Sequence, residues 1–139
     1  MLEVSGTCSG TFDNEQNEIT TPNYPNDYTS SKTCYWNVNA PSGKRVELRF
    51  VDFKLESSSN CRYDYLEIYD GASSGSSKIG NRLCGSTRPS NKVSSGNRLY
   101  LKWRSDDSEH HSGFKISCKS KCKYSTNINI DNWTIDYFW

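Results

Sequence analysis

The sequence lacks several features that define large classes of protein. No apolar run is long enough to span a membrane, and the opening residues, MLEVSGTC, contain no apolar signal-peptide stretch. There are 17 Lys and Arg residues against 16 Asp and Glu, so no basic excess points to a nucleic-acid partner. Helical periodicity is absent from almost the whole chain. These absences argue against a transmembrane segment, a helical fold and a nucleic-acid-binding protein.

Aliphatic residues are sparse, and aromatic residues and cysteines take their place. Hydrophobic residues make up 33% of the 139 positions, but nine Tyr, five Phe and four Trp each bury a large area. Six cysteines in so short a chain are typical of an oxidising compartment, since cytosolic thiols are kept reduced. We therefore expect a secreted, disulfide-bonded protein, either a mature segment or a piece of something longer.

Short alternating runs separated by turn residues predict the fold class. RVELRFVDFKL (45–55) alternates apolar and polar residues up to Phe50 and slips phase at Val51, which indicates a β-bulge. Further strands are predicted in TCYWNV, YLEIY, NRLYLKW and GFKISC, with turn segments such as APSGK and STRPSN between them. Many short strands at near-regular spacing indicate an all-β protein, an antiparallel β-sandwich.

One acidic residue interrupts this pattern. In CRYDYLEIYDG (61–71), Asp64 lies among strand-forming residues, three positions after Cys61. A buried carboxylate is costly unless hydrogen bonds or an opposite charge compensate it. The sequence therefore predicts a compensating group near Asp64.

Seven motifs, in this order and spacing, resemble the CUB domain, the secreted β-sandwich module of complement and astacin-type proteases. They are CSGTF, TPNYPNDY (21–28), CYWNV, LRFVDFKLE (48–56), CRYDYLEIYDG, LCG (83–85) and SDDSEHHSGF (105–114). The resemblance runs from Cys8 to about Cys118. It divides the chain into a CUB domain, 1–118, and a C-terminal extension of unknown structure, 119–139. It implies a jelly-roll-like antiparallel sandwich.

The resemblance also implies a disulfide framework. Two bonds are expected from it, Cys8–Cys34 and Cys61–Cys84. Cys118 and Cys122 lie outside the usual four cysteines. We favour a third bond between these two, which would staple the last strand to the extension. The alternative is that one or both pair with a cysteine in a neighbouring domain.

The extension itself allows two interpretations. Isoleucine alternates with polar residues from Asn127 to Asp131, and aromatic residues then alternate in the opposite phase. This pattern suits an additional strand or hairpin, and it suits equally the start of a further domain. The triplet NWT makes Asn132 the only candidate for N-glycosylation.

Calcium-binding members of the family suggest what compensates Asp64. The resemblance implies a Ca²⁺ site built from three carboxylates and one backbone carbonyl: Glu56, Asp64, Asp106 and Ser108. Tyr28 would orient a carboxylate through its hydroxyl. Calcium accepts such a set flexibly, whereas magnesium demands tighter octahedral geometry. Glu109 stands where the family often has Asn, and is either an extra ligand or a solvent-facing side chain.

The same resemblance implies a function. Three carboxylates around one divalent ion leave residual negative charge, which would capture an exposed Lys or Arg of an extracellular partner protein. The partner-binding residues would be Glu56, Asp64, Asp106 and Tyr28. We therefore predict a secreted, non-catalytic module for calcium-dependent protein–protein interaction.

Other functions remain open. The resemblance also implies a carbohydrate-binding alternative, since some members of the family, spermadhesins especially, are known for it. Exposed Tyr and Trp residues would then form a sugar or sulfated-glycan surface together with five cations: Arg82, Arg88, Lys92, Arg98 and Lys102. A structural spacer, or an accessory domain of a larger extracellular protease, is a further alternative. We do not expect an enzyme, because neither a G-x-S-x-G elbow nor an H-E-x-x-H helix is present. His110 and His111, the only histidines, would point to opposite faces of a strand and suit a shared zinc poorly.

Overall fold

A computed structural model of the protein describes residues 8–13 and 16–122. Within these ranges a short 3₁₀ turn, Ser59–Cys61, lies between the fourth and fifth of the strands. In chain order the strands are β1 Gly10–Phe12, β2 Gln16–Thr20, β3 Thr33–Asn39, β4 Lys44–Lys54, β5 Tyr65–Tyr69, β6 Lys92–Val93, β7 Arg98–Arg104 and β8 Gly113–Cys122. Among the described residues, no helix is long and apolar enough to cross a membrane.

The strands form two four-stranded sheets that pack face to face. One sheet has the order β1-β3-β7-β5 and the other has the order β2-β8-β4-β6. All neighbouring strands are antiparallel except β1 and β3, which are parallel. The predicted all-β sandwich is confirmed, and the predicted strand YLEIY coincides with β5 residue for residue.

The alternation of the strands explains the core. Leu99, Leu101 and Trp103 of β7 are fully buried and meet the buried side of the β4–β8 pair. Each such side chain stabilises the fold by roughly 1.5–3 kcal/mol on burial. The phase slip in β4 is a bulge: Phe50 pairs with Ile116 and Asp52 with Lys115, so Val51 has no partner in the register. The extra residue returns the following side chains to the core, as the sequence predicted.

Two disulfides join segments that are distant in the sequence. Cys8 is bonded to Cys34 and Cys61 to Cys84, with sequence separations of 26 and 23 residues. Loops of this size stabilise a fold by about 3 kcal/mol each through restriction of the unfolded chain. Both bonds agree with the pairing that the CUB resemblance implies. The second bond fixes the backbone immediately before Asp64.

The expected third disulfide is wrong. Cys118 carries a free, buried thiol. Cys118 and Cys122 lie four residues apart in the same extended strand β8. At about 3.3 Å per residue their Cα atoms are roughly 13 Å apart, well beyond the span of a disulfide.

Strand β8 also bears on where the domain ends. It continues four residues past Cys118, to Cys122, where the backbone still pairs with Lys44 of β4. A boundary placed at Cys118 therefore falls inside a strand. The strand or hairpin suggested for the extension, and the sequon at Asn132, lie outside the described residues.

Candidate metal centre

Three acidic side chains converge at one end of the sandwich. Glu56 follows the end of β4 by two residues, Asp64 directly precedes β5, and Asp106 follows the end of β7 by two residues. One carboxylate oxygen from each lies within 4.8 Å of the others. Glu56 and Asp64 are buried, with 6% and 0% of their surface exposed, and Asp106 is half-buried. The structure thus brings together the three carboxylates that the sequence singled out.

Strand pairing creates this convergence. Tyr65 at the start of β5 pairs with Arg104 at the end of β7, so the segment before β5 runs beside the loop after β7. The backbone N–H of Asp106 donates a hydrogen bond of 2.8 Å to Asp64 Oδ1. On the other side, the N–H of Leu55 donates to the carbonyl of Gly85 at 2.9 Å, which fixes the chain just before Glu56.

Tyr28 links two of the acidic residues. Its hydroxyl donates a hydrogen bond of 2.5 Å to Asp64 Oδ2 and accepts one of 3.2 Å from the backbone N–H of Glu56. The ring is 1% exposed and packs edge-to-face against Trp103, with centroids 5.2 Å apart. Hydrogen bonds to both oxygens therefore compensate part of the cost of burying Asp64. Among the described residues no Lys or Arg pairs with its negative charge.

The electrostatics of the cluster are unfavourable without a cation. Burial, followed by the charges of Asp106 and Asp64, raises the pKa of Glu56 to about 7. Burial also raises the pKa of Asp64. Glu56 Oε1 is buried and has no hydrogen-bond partner among the described residues. Within those residues no Lys or Arg forms an ion pair with any of the three carboxylates. Buried oxygens that lack a positive partner match the donor set of a hard divalent cation.

The loop after β7 carries the other residues expected at the site. The N–H of Ser108 donates to Asp106 Oδ1 at 3.2 Å, and a ligating role for the Ser108 carbonyl stays a prediction. Glu109 lies 3.3 Å from His111 Nε2 and is largely exposed, although its charge contributes to the raised pKa of Glu56. The ring of His110 lies 6.1 Å from that of Tyr28. Within the described residues, the Glu56, Asp64 and Asp106 cluster is the one group of at least three potential metal-ligating side chains.

Two features of the site were not predicted from the sequence. Ser105 is buried, and its hydroxyl donates to the carbonyl of Thr29 at 2.8 Å while accepting from the N–H of Lys32 at 3.1 Å, which anchors the loop that holds Asp106. A groove of about 410 Å³ lies beside the cluster, lined by Ser31, Thr33, Arg104, Ser105, Asp106 and Asp107. Only the pairing of β3 with β7 brings these segments together, and no local pattern signals it.

Comparison with known proteins settles the family. The family model of the CUB domain matches residues 8–118. The chain belongs to the CUB domain family. CUB domains are generally non-catalytic modules of extracellular proteins that take part in protein–protein interaction.

Relatives of this CUB domain include much longer proteins. It is 43% identical over 107 residues to tolloid-like protein 2 of Mus musculus, covering 77% of this chain and 10% of that protein. It is 38% identical over 127 residues to cubilin of Homo sapiens, covering 91% of this chain and 3% of that protein. Among solved structures, the MASP-1 CUB2 domain bound to Ca²⁺ superposes with a TM-score of 0.71 at 31% identity, covering 81% of this chain and 99% of that one.

Proposed function

We propose that this CUB domain binds one calcium ion at Glu56, Asp64 and Asp106. The single observation that supports the site is the convergence of three carboxylates within 4.8 Å, with Glu56 Oε1 buried and unpartnered in the described part of the chain. When bound, calcium supplies the positive charge that lets all three groups ionise together. The Ser108 carbonyl and water would complete a shell of 6–8 oxygens, the range that calcium accepts.

The donor set favours calcium over other divalent ions. All three side chains offer oxygen, and none offers the sulfur or nitrogen that zinc prefers. Magnesium dehydrates reluctantly and is seldom held by an all-protein cage. The solved MASP-1 CUB2 domain, which superposes well on this chain, is bound to Ca²⁺. That likeness supports calcium for this chain.

The proposed role of the site is to capture a Lys or Arg side chain of an extracellular partner protein. Three carboxylates outweigh the charge of one divalent ion, so the loops would keep a net negative charge beside the exposed residues Asp107 and Glu109. An ammonium group has three donors and a guanidinium five, which suits several converging carboxylate oxygens. Tyr28 and the ion would hold those oxygens at fixed positions before the partner arrives, which reduces the entropy cost of binding.

Calcium binding is tested by thermal and urea unfolding with calcium or with a chelator. An extracellular module with a dissociation constant of about 10⁻⁴–10⁻³ M should gain about 1.4–2.7 kcal/mol at about 10 mM calcium. Asp106→Asn should lose this response, while the neighbouring Asp107→Asn should keep it. Magnesium at the same concentration should give a smaller gain. An equal response to calcium in wild type and Asp106→Asn would contradict the site.

Capture of a basic side chain is tested separately. Poly-lysine serves as the probe, with its Nε-acetylated form as the matched control, and binding to the immobilised domain is measured by surface plasmon resonance. Binding should require calcium, disappear on acetylation and disappear in Asp106→Asn. If the calcium response in unfolding is present but poly-lysine binds equally well in chelator, the metal site stands and the capture role fails.

A further inference from the structure

A groove with charges of both signs lies beside the carboxylate cluster. It is lined by six residues: Ser31, Thr33, Arg104, Ser105, Asp106 and Asp107. Asp106 also belongs to the cluster, so the groove continues directly from the proposed calcium site. Its volume of about 410 Å³ lies in the range of pockets that hold small ligands, and it has room for a few side chains of a partner. A partner held at the cluster would therefore also meet this groove.

Backbone hydrogen bonds join the two segments that form the groove. The N–H of Ser31 donates to the carbonyl of Asp106 at 2.7 Å, and the N–H of Ser105 donates to the carbonyl of Lys32 at 2.9 Å. Thr33 pairs with Arg104 in the register of β3 and β7. The walls of the groove thus have fixed positions before a partner binds, which lowers the entropy cost of binding.

Arg104 supplies the only positive charge among the residues that line the groove. Arg104 and Asp107 are both exposed, yet the guanidinium of Arg104 forms no ion pair with Asp106, with Asp107 or with any other carboxylate of the described residues. It donates one long hydrogen bond, of 3.4 Å, to the carbonyl of Tyr63. A guanidinium has five N–H donors in a planar fork that matches a carboxylate. Most of the donors of Arg104 are therefore available to a ligand.

We propose that this groove selects partners in which an acidic residue lies close to the captured Lys or Arg, and that Arg104 binds this acidic residue. The inference rests on the proposed capture of a basic side chain at the cluster. Arg104 and Asp106 are two positions apart, so their Cα atoms are at most about 7 Å from each other. In an extended peptide, residues two positions apart are separated by about 6.6 Å and point to the same side. A basic and an acidic residue with one residue between them, in either order, would match this spacing.

The two aspartates of the groove are compatible with an acidic residue in the partner. The charge of Asp106 would be offset by the bound calcium, and Asp107 is exposed, where salt screens its charge. A second basic residue of the partner would instead place like charge beside Arg104. The groove therefore favours a partner segment whose charges alternate in sign.

Peptides with blocked termini test this selectivity when they are immobilised and binding of the whole chain is measured by surface plasmon resonance, in calcium and about 0.15 M salt. Ser-Lys-Ser-Glu-Ser and Ser-Lys-Ser-Gln-Ser differ only in the acidic group. Ser-Glu-Ser-Lys-Ser and Ser-Gln-Ser-Lys-Ser test the opposite order. The wild type should bind the Glu peptide of at least one pair about fivefold more tightly than its Gln control, the upper range for an exposed ion pair.

Variants of Arg104 should change this preference in a defined way. Arg104→Gln should bind the Glu and Gln peptides equally. Arg104→Lys keeps the charge but loses the planar fork, so it should retain only part of the preference. Arg104→Glu should prefer Ser-Lys-Ser-Lys-Ser to either Glu peptide. Such an inversion would assign the selectivity to this side chain.

Arg98→Gln is the matched control. Arg98 is the first residue of β7 and Arg104 is the last, about 20 Å away at about 3.3 Å per residue, and both are exposed. Each Gln variant removes one positive charge from the same strand. Only Arg104→Gln should abolish the preference for Glu.

Four results would each overturn the inference. The first is equal binding of the Glu and Gln peptides to the wild type in both orders while poly-lysine still binds in calcium, in which case the capture role stands and the groove lacks this selectivity. The second is tighter binding of Ser-Lys-Ser-Lys-Ser than of the Glu peptides to the wild type, which would mean that Asp106 and Asp107 govern the groove. The third is a loss of preference in Arg98→Gln as complete as in Arg104→Gln, which would make net charge the cause. The fourth is no binding of any peptide or of poly-lysine, which would remove the capture role and this inference together.

Discussion

The hydroxyl of Tyr28 joins Asp64 and Glu56, donating to the carboxylate of one and accepting from the backbone N–H of the other. The same ring packs on Trp103 in the core, so the position of the acidic cluster depends directly on the packing of the sandwich. The carboxylates are therefore positioned before any ion binds. A substitution that disturbs the packing of Tyr28 against Trp103 should also change the positions of Asp64 and Glu56.

Tyr28→Phe removes the hydroxyl and keeps the ring, so it tests the contribution of the hydroxyl alone. The edge-to-face contact with Trp103 is kept, but Asp64 loses one hydrogen bond and the N–H of Glu56 loses its acceptor. We expect the free energy of unfolding to fall by about 1.5–3 kcal/mol, the range for a hydrogen bond to a charged group, with a weaker response to calcium. Urea unfolding of Tyr28→Phe and of Tyr35→Phe, whose ring is exposed, gives the comparison. A loss of less than about 0.5 kcal/mol in Tyr28→Phe would contradict this role, because exposed substitutions fall in that range.

The raised pKa of Glu56 predicts an unusual pH dependence in chelator. The folded-state value of about 7 lies above the ordinary value of 4.5, so between these pH values the folded state holds a proton that the unfolded state has lost. Stability from this group is therefore complete below about pH 4.5 and is lost as the pH rises through about 7. We expect the urea concentration at the midpoint of unfolding, measured in chelator, to decrease as the pH is raised from about 5 to about 7.5.

Glu56→Gln provides the control for that prediction. The amide has no proton to lose in this range, so the fall in the midpoint with pH should become smaller than in wild type. Calcium should reverse the wild-type trend, since the ion requires the ionised carboxylate and competes with the proton. Parallel pH profiles for wild type and Glu56→Gln in chelator would mean that Glu56 titrates normally.

Much of this architecture could be predicted because the signals are local. Aromatic and aliphatic residues typical of strands mark β5, the phase slip at Val51 marks the bulge in β4, and turn residues delimit β7. The disulfides and the three carboxylates are distant in sequence, and only their match to the family pattern suggested that they meet. Alternation alone would have left Asp64 as an unexplained acidic residue.

Other features depend on register, which the sequence does not encode locally. Strands β1 and β6 have three and two residues, too few to show a period, and their pairing depends on neighbours elsewhere in the chain. The rings of Tyr35, Tyr100 and Tyr69 lie side by side only because β3, β7 and β5 pair in this register. The expectation for Cys118 was wrong because the last strand extends further than its apolar residues indicate.

The free thiol of Cys118 should be nearly inert in the folded protein. Burial raises its pKa to about 12, so at about pH 8 very little reactive thiolate is present. We expect iodoacetamide to label Cys118 only as fast as the domain unfolds, and far faster in denaturant. Peptide mapping distinguishes Cys118 from Cys122. Labelling of Cys118 in the folded state at the rate of an exposed thiol would show that this part of β8 opens readily.

Gly113 should be the most sensitive glycine near the site, because it ends the loop of Asp106 and begins β8. Its φ of +83° disfavours any side chain, and an added Cβ would lie 1.8 Å from Oγ1 of the buried Thr21. Gly43 has a similar φ of +87°, but no atom of the described residues lies within 4 Å of the corresponding Cβ position. Gly43→Ala should therefore lower the free energy of unfolding only through the strain of a side chain at positive φ, about 1–2 kcal/mol.

Gly113→Ala should lower the free energy of unfolding by about 2–4 kcal/mol, because the overlap of the added Cβ with Thr21 adds to the strain at positive φ. Thr21 also accepts the N–H of Phe114 at 3.1 Å, so it cannot move away without breaking a buried hydrogen bond. The start of β8 should shift instead and carry the Asp106 loop with it, which would reduce the stabilisation by calcium. Chemical unfolding of both variants, with calcium and with chelator, separates these effects. Equal losses for the two glycines would mean that Thr21 does not confine Gly113, and the link between β8 and the acidic cluster would then fail.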